Sequence, residues 1–418
     1  MQTDVVIIGA GSAGLAAAKE LNRQGLSFII LEASHRIGGR AYSEELAPDV
    51  WFDLGCAYLL TGTDAKNQID ESNPFIDYAK NQGKVVERYS YDEHYIYNGK
   101  SLDDNASSER EKFFNDCEDV IKCSAENGDD HALSDIIDLE NPYLIPYNDV
   151  MAVTAPKDID EISVADTYHG VGDYEDYITP NGYGNIVAQW GSDVKVSLNT
   201  KVETVDWSGK EVVVETAKGS IRARCLISTV SNGILAAQHI NFKPQLPDWK
   251  MDAIQGITMG AENKIGVHFT EDIFGPIESG HYQSWTDDAQ GAYMEVNLMS
   301  SNVVSVFMGG RFSQWMEKQG QQAGHEFAVD KIADIFGSDI RKSVGRSVVT
   351  AWDTDPWTLG SYACALPGQY YQREPLRLPI DDKLFFAGEA TARAHGTCNG
   401  AYWSGVRAAQ EVIETLKL

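Results

Sequence analysis

The stretch that decides the fold is "DVVIIGAGSAGLAAAKELNRQGLSFIILE", residues 4–32. Its first part is rich in β-branched apolar side chains, which is typical of a buried parallel strand. A glycine-rich turn follows, and apolar residues then recur at helical spacing until Gly25. "SFIILE" has the character of a second strand and ends at Glu32. The stretch therefore predicts a β-α-β unit at the front of the chain.

The turn in this unit has the pattern GxGxxG, formed by Gly9, Gly11 and Gly14, and Glu32 follows at the end of the second strand. The pattern alone is weak evidence, but here it lies between a predicted strand and a predicted helix. The first glycine makes the turn, the second admits a pyrophosphate, and the third lets helix and strand pack. The pyrophosphate then lies on the helix N-terminus, and Glu32 accepts from ribose hydroxyls. A dinucleotide site is favoured over a β-α-β unit that binds no nucleotide.

Two further elements favour FAD over NAD as the nucleotide. Gly38 and Gly39 form a second glycine pair, and Arg40 after them can bring a bidentate cation to the pyrophosphate. "WFDLGCAYLLTG" (51–62) predicts another close approach of the backbone after a short strand. An enzyme that holds NAD alone has no evident need for either element.

Five separated parts of the chain resemble the flavin-dependent amine oxidase family, which includes monoamine oxidases, polyamine oxidases and flavin-dependent histone lysine demethylases. The motifs are "VVIIGAGSAG…LEASHRIGGR" at the front, "FDLGCAYLLTG", "VSLNTKVETVDW" (196–207), "MGAENKIGVHF", and the pair "AWDTDPWTLGSY" and "FFAGEATARAHGTCNGAYWSG" near the end. The first and last motifs are the most specific. Residues 63–178 and 265–345 carry no motif that can be placed.

The resemblance implies a non-covalent FAD and a set of residues that contact it. These are Gly9, Gly11, Ser12, Ala13, Gly14, Glu32, Ala33, Gly38, Gly39, Arg40, Ala57, Tyr58, Val202, Trp352, Gly388, Glu389, Gly396, Thr397 and Cys398. At the last helix, the backbone of Thr397 and Cys398 is expected to face the N1–C2=O side of the flavin. A helix N-terminus stabilises negative charge that develops there.

The resemblance also implies four catalytic residues, namely Lys264, Tyr362, Trp352 and Thr397. Lys264 corresponds to the lysine that holds a water at flavin N5, whereas a lone lysine in a strand is usually exposed to solvent. Tyr362 and Trp352 correspond to aromatic walls beside the flavin, although both also suit a core position. His395 follows the flavin loop, and a hydrogen-bonded loop histidine is favoured for it over a substrate contact.

Two departures from the monoamine oxidases refine the expectation. Ser361 stands where those enzymes carry the cysteine that binds flavin covalently, and Thr397 replaces a second cage tyrosine. The resemblance is therefore nearer to polyamine oxidases. It implies hydride transfer from the carbon alpha to nitrogen of an aliphatic amine onto flavin N5, hydrolysis of the imine, and reoxidation by O2 to give hydrogen peroxide.

The expected fold class is α/β, with a Rossmann-like FAD-binding domain interleaved with an α+β substrate domain whose mixed sheet is flanked by helices. At 418 residues the chain is long enough for two domains. The boundaries predicted from the motifs assign 1–62, 179–247 and 351–418 to the FAD-binding domain. Residues 63–178 and 248–350 are assigned to the substrate-binding domain.

Composition limits the partners. The formal charge of −28 argues against a nucleic-acid partner, because phosphates require a basic face. The acidic charge fits a solvated surface and would also attract a cationic substrate. The six cysteines are scattered, without zinc spacing, and reduced thiols in a cytoplasmic protein are predicted. No metal site and no membrane contact are expected, and the chain is expected to be a monomer or homodimer.

Two other functions stay open at the level of sequence. One is a flavoprotein of the same fold, such as a carotenoid desaturase or protoporphyrinogen oxidase, against which Lys264 and the acidic charge argue. The other is a flavin-binding protein that acts through partner contacts without turnover.

Overall fold

The protein is described by a computed structural model that covers residues 2–64, 69–70, 72–170, 173–274, 278–286 and 291–416. Its largest sheet has eight strands, in the order β11-β2-β1-β14-β13-β12-β15, with β23 also paired to β14. These strands are β1 (Gln2–Ile8), β2 (Phe28–Leu31), β11 (Val196–Ser197), β12 (Val202–Asp206), β13 (Val212–Thr216), β14 (Gly219–Ser228), β15 (Asn241–Lys243) and β23 (Leu384–Phe386).

The parallel part of this sheet is the Rossmann-like core. Strand β1 pairs in parallel with both β2 and β14, and β14 pairs in parallel with β23. Apolar side chains cover both faces of this part, as continuous β-branched runs require. Strands β13 and β14 pair as an antiparallel hairpin, with Lys218 in its turn. The last strand of the chain therefore lies close to the first.

A second, mostly antiparallel sheet has seven strands, in the order β21-β17-β20-β19-β18-β8-β9. They are β8 (Asp92–Tyr97), β9 (Lys100–Ser101), β17 (Glu262–Phe269), β18 (Gly280–Trp285), β19 (Ala292–Val296), β20 (Val303–Gly309) and β21 (Val344–Val349). Its apolar face packs against two helices, α9 (Gly310–Gln319) and α10 (Gln321–Phe336). The opposite face, which carries Lys264, is turned toward the loop at Gly55.

The remaining strands form small sheets. They are β3 (Ser43–Ala47) with β4 (Val50–Asp53), β16 (Ile257–Met259) with β22 (Ala363–Ala365), and the group β5 (Leu59–Asp64), β6 (Ile69–Asp70), β7 (Glu87–Arg88) and β10 (Asp173–Ile178). Pairing of β16 with β22 holds the chain near Tyr362 against the start of β17.

The α-helices within the described residues lie around these sheets. They are α1 (Ser12–Arg23), α2 (Pro74–Asn81), α3 (Asp104–Glu126), α4 (Leu144–Thr154), α5 (Val164–Gly170), α6 (Tyr183–Gly191), α7 (Asn232–Ala236), α8 (Asp248–Gly256), α9 (Gly310–Gln319), α10 (Gln321–Phe336), α11 (Arg373–Arg377) and α12 (Cys398–Leu416). In the described part of the chain, none of them combines the length and apolar character that crossing a bilayer demands. The expected α/β class, with mixed sheets flanked by helices, is confirmed.

Candidate active site

The glycine-rich turn after β1 is shaped by close contacts. Gly9 has φ +101°, a region that favours glycine. A Cβ on Gly14 would lie 2.0 Å from the carbonyl oxygen of Gly9, so only glycine lets α1 begin this close to β1. The conformation of the turn and the absence of a side chain at Gly14 together bring the N-terminus of α1 to the end of the strand.

Gly11 differs from its neighbours because one side of it is open. A Cβ there would meet no protein atom nearer than 3.8 Å, at the carbonyl oxygen of Gly38. Gly38 donates its N–H to the Ala10 carbonyl at 2.9 Å, so the two glycine-rich turns form one shallow cradle at the N-terminus of α1. This cradle suits an anion such as a pyrophosphate, because a helix N-terminus presents N–H groups and the positive end of its dipole.

Glu32 is buried beside this cradle. Its Oε2 accepts from the Ala10 N–H at 2.7 Å, and its Oε1 accepts from the Ser34 N–H at 2.8 Å. Both bonds fix the carboxylate at the end of β2, while each oxygen retains lone-pair capacity for a ribose hydroxyl. Ala33, the next residue, is partly buried.

Arg40 and Glu389 join the front of the chain to its last motif. The Arg40 Nη1 lies 2.8 Å from Glu389 Oε1 and also donates to the Ser361 carbonyl at 2.7 Å. The other oxygen of Glu389 accepts from the Gly396 N–H at 3.0 Å. Burial alone would raise the pKa of Glu389, but Arg40, Arg373 and the Gly396 N–H together outweigh it, and the pKa lies below its usual range. A cleft lined by Arg40, Gly388 and Glu389 opens beside this pair.

Helix α12 begins next to α1. The Thr397 hydroxyl accepts from the Gly400 N–H at 2.9 Å and donates to the Ala394 carbonyl at 2.7 Å, which makes it the cap of α12. The Ser12 hydroxyl donates to the Cys398 carbonyl at 3.0 Å, so the N-termini of α1 and α12 are adjacent. Two positive dipole ends consequently converge on one region. Further along, α12 packs so closely on Ala13 that a Cβ on Gly405 would lie 2.1 Å from the Ala13 carbonyl oxygen.

Lys264 lies in β17 and only 6% of it is exposed. Its Nζ donates to the Gly55 carbonyl at 2.7 Å, in the loop that precedes Ala57 and Tyr58. The ammonium is thus held inside the protein, against the glycine-containing loop from the front third of the chain. This placement favours the interpretation taken from the resemblance over a lysine in solvent.

The two aromatic candidates contact different segments of the chain. The Tyr362 ring packs against Gly396, since a Cβ on that glycine would be 3.2 Å from Tyr362 Cδ2. The Tyr362 hydroxyl donates to the Val153 carbonyl in α4. Trp352 is buried, and its indole N–H donates to the Leu54 carbonyl at 3.2 Å. Tyr362 therefore adjoins the start of α12, whereas Trp352 lies against the loop near Gly55.

The structure also places three other residues named from the sequence. The Tyr58 hydroxyl donates to Glu295 and lies 3.2 Å from His281 Nε2. Both of these partners belong to the second sheet. Val202 begins β12 and is buried. His395 Nδ1 lies 3.3 Å from the Arg393 carbonyl oxygen, which fits a hydrogen-bonded loop histidine, and its Nε2 lies 3.7 Å from Asp166 Oδ2.

Three residues near Lys264 were missed by the sequence reasoning. Glu262 and Glu295 are buried carboxyl groups, and Cys56 is close enough to Cys398 for their thiols to interact. For Glu262 a signal existed, because it lies two positions before Lys264 and a strand places such residues on one face. For Glu295 and Cys56 the contacts depend on pairing between distant segments.

The residues present fit an FAD. The open side of Gly11, the convergent N-termini of α1 and α12, and the buried Lys264 provide a pyrophosphate cradle, two dipole ends and a cation in one connected region. The fold and this site define an oxidoreductase that binds a flavin dinucleotide.

Comparison with known proteins identifies the family. The profile described as "Flavin containing amine oxidoreductase" matches residues 100–413, and one described as an NAD(P)-binding Rossmann-like domain matches residues 7–71. The chain belongs to the flavin containing amine oxidoreductases. The expected family, the FAD cofactor and the class of enzyme are thereby confirmed.

Individual relatives agree with this assignment. Polyamine oxidase 4 of Oryza sativa subsp. japonica is 28% identical over 97% of this chain and 88% of its own length. Human lysine-specific histone demethylase 2 is 26% identical over 98% of this chain and 53% of its own. Cyclohexylamine oxidase from Brevibacterium oxydans IH-35A has the same fold, with a TM-score of 0.82, 21% identity and 100% coverage of both chains. Putrescine oxidase bound to putrescine matches with a TM-score of 0.80, 19% identity and 99% coverage of both.

Proposed function

We propose that this protein is an oxidase of aliphatic amines, with a polyamine-like amine as the favoured substrate. The observation that carries the proposal is the position of the buried Lys264 ammonium, which faces the glycine-containing loop of the FAD-binding region from a sheet that also lines a cavity. When bound, FAD accepts a hydride from the carbon alpha to the amine nitrogen and passes the electrons to O2, which yields hydrogen peroxide.

The chain's own residues prepare this chemistry. In the proposed arrangement the cradle at Gly11 binds the pyrophosphate, and Glu32 binds the ribose. The N–H groups of Thr397 and Cys398 stabilise negative charge that develops on the flavin. Lys264 holds a water and adds a positive charge in a region of low dielectric. The packed ring of Tyr362 and the buried Trp352 exclude bulk water.

The register of the second sheet supports an elongated substrate. Directly paired residues form a row across one face, in the order Lys264, Phe307, Tyr293, Gln283 and Tyr95. The last three line a cavity of about 140 Å³. Because neighbouring strands lie ~4.8 Å apart, this cavity begins roughly 10 Å from Lys264 along the sheet. An extended amine whose reacting carbon lies beside Lys264 would reach this cavity with its other end.

The acidic and aromatic groups on this face suit a substrate that carries positive charges along its length. Glu295 and His281 pair across β19 and β18, and Glu93 pairs with His281 from β8. Glu93, His281 and Tyr293 line the cavity, and the ring faces there can contact an ammonium. Arg110 at the same cavity stacks between Tyr95 and Phe114, so its charge already has partners.

We also propose that FAD is held without a covalent bond. Ser361 occupies the position of the cysteine found in monoamine oxidases, and its hydroxyl donates to the Gly260 carbonyl at 3.0 Å. Acid precipitation should release the flavin into the supernatant. Retention of the flavin in the pellet would contradict this proposal.

We also propose the division into two domains that the motifs predict. The eight-stranded sheet is built from residues within 1–62, 179–247 and 351–418, and the seven-stranded sheet from residues within 63–178 and 248–350. A cytoplasmic location is proposed from the cysteines, all six of which are free thiols.

Anaerobic titration tests the proposed function. The purified holoprotein is mixed with mono-, di- and polyamines, and absorbance of the oxidised flavin is followed. We expect bleaching by at least one aliphatic amine, with release of peroxide when air is admitted. Bleaching by none of a broad amine panel would favour a binding protein without turnover. Bleaching by a polyene or a porphyrinogen, and by no amine, would favour a flavoprotein of the desaturase or protoporphyrinogen oxidase type.

A further inference from the structure

Glu262 is a buried carboxyl group next to the reaction site. It is 6% exposed and begins β17, with its side chain on the same face of the strand as Lys264. Its backbone N–H donates to the Ser361 hydroxyl at 2.9 Å, which places it beside the segment that carries Tyr362. Glu262 is therefore close to both the lysine and the tyrosine of the candidate site.

One oxygen of this carboxyl group, Oε1, is buried and has no hydrogen-bond partner among the described residues. A buried carboxylate oxygen without a partner costs free energy comparable to a lost hydrogen bond to a charged group. Such an exception needs a physical explanation, and a ligand that supplies the donor is one. An ammonium or amine of the substrate is a donor of the right kind.

The charged and titratable groups that face Glu262 are Lys264 on its own strand, Glu295 on β19, and Tyr362 from the neighbouring segment. Burial raises the pKa of Glu262 to about 7; the Lys264 charge opposes this rise and the Glu295 charge adds to it. Near neutral pH the group can therefore both hold and release a proton.

Building on the proposed amine oxidation, we propose that Glu262 binds the substrate as an ammonium ion and takes its proton before hydride transfer. The ammonium N–H bond breaks and an O–H bond forms at Glu262, so that R–NH3⁺ and a carboxylate become R–NH2 and a carboxylic acid. The freed electron pair on nitrogen then assists departure of the hydride to FAD. The proton returns to solvent when the product leaves.

This role predicts a particular pH profile. With Glu262 as acceptor, kcat/KM rises as the carboxyl ionises near pH 7 and falls above ~10, where free alkylamines lose their proton. In Glu262→Gln only the neutral amine is productive, so the rise moves to about pH 10 and the fall disappears. At pH 7.5 the variant should lose on the order of 100-fold or more in kcat/KM, because little of the amine is neutral there. A profile identical to that of the unaltered protein would overturn the proposal.

A second measurement does not depend on turnover. The tert-butylammonium ion has no hydrogen on the carbon bonded to nitrogen and cannot be oxidised. Its binding to the holoprotein is measured calorimetrically at pH 6 and pH 8, in two buffers of different ionisation enthalpy. We expect proton release by the unaltered protein to fall from most of one proton at pH 6 to a small fraction at pH 8, because Glu262 is itself ionised at the higher pH. Glu262→Gln should release the same number of protons at both pH values. A release that does not change with pH in the unaltered protein, or no binding by it at pH 8, would count against the proposal.

Glu20→Gln is the matched control, because Glu20 is also a buried carboxyl but lies in α1 beside Arg23. It should keep the pH profile and proton release of the unaltered protein. FAD content and the circular dichroism spectrum show whether each variant is folded. If no amine bleaches the flavin, the proposed function fails, whereas proton release on ammonium binding still decides the role of Glu262.

Discussion

Arg40 and Glu389 are 349 positions apart in the chain, yet the guanidinium Nη1 lies 2.8 Å from the carboxylate Oε1. Arg40 follows the second glycine pair, and Glu389 precedes the last helix. Glu389 is 5% exposed, and Arg40 has partial access to solvent. The pair therefore joins the two chain segments that we propose grip the FAD.

Removing one partner of this pair should destabilise the fold and weaken the binding of FAD. We expect Glu389→Gln to leave the Arg40 charge incompletely paired, at a cost of about 3–5 kcal/mol in the free energy of unfolding. FAD fluorescence and thermal unfolding should report early cofactor release and a lower Tm. Asp339→Asn, which breaks a fully exposed pair with Lys342, is the control and should leave Tm unchanged.

The Arg40–Glu389 pair also makes the stability of the fold depend on pH. Because the pKa of Glu389 is lowered in the folded protein, its ionised form stabilises the fold at pH values above the ordinary carboxyl pKa of ~4.3. This contribution is lost as the pH falls through the lowered pKa. In Glu389→Gln the loss of Tm between neutral pH and a pH below the lowered pKa should be smaller than in the unaltered protein. An equal loss would show that other carboxylates govern acid unfolding.

Gly11 and Gly14 should respond to alanine in different ways. The Cβ of Gly11→Ala has open space in the protein, so we expect a folded apoprotein that binds FAD at least tenfold more weakly. The Cβ of Gly14→Ala would overlap the Gly9 carbonyl, so this variant should lose Tm with or without FAD. Calorimetry of apo and reconstituted protein separates the two. Full FAD affinity in Gly11→Ala would place the pyrophosphate elsewhere.

Lys264 should matter for chemistry more than for stability. Replacement by methionine removes a buried positive charge near the proposed flavin position, and such a loss typically costs ~10²–10³ in rate. We expect stopped-flow traces to show slower reduction by amine or slower reoxidation by O2, with FAD content retained.

Lys250→Met is the matched control for that experiment, because Lys250 is also a buried lysine. Its Nζ donates to the carbonyl groups of Pro375, Leu376 and Leu378, none of which is a predicted site residue. We expect a marked fall in Tm, since three buried acceptors lose their donor at about 1–3 kcal/mol each. The rate per bound flavin should stay near that of the unaltered protein. Equal rate losses in both variants would contradict a specific role for Lys264.

Tyr362 should act through its ring. We expect Tyr362→Phe to keep the amine kcat/KM within a few-fold, although the Val153 carbonyl loses its donor. Tyr362→Ala removes the ring that packs on Gly396 and should raise KM and admit water. Steady-state kinetics with the best amine of the panel checks both variants. A larger loss in Tyr362→Phe than in Tyr362→Ala would assign the role to the hydroxyl.

Local patterns predicted much of the fold. The spacing of Gly9, Gly11 and Gly14 between two β-branched runs predicted the β-α-β unit, because the turn needs small residues at those positions whatever the rest of the chain does. Lys264 was singled out by resemblance, since a lysine in a strand gives no local sign of its partner.

The sequence by itself determined the class of nucleotide site and the family, because these depend on short motifs whose chemistry is local. Only the tertiary structure decided that Arg40 pairs with Glu389, that Thr397 caps α12, and that Glu262 is buried with an oxygen lacking a partner in the described chain. Burial and charge pairing depend on which distant segments meet. The sequence does not show whether water or protein surrounds a carboxyl group, yet these surroundings set its pKa and its role.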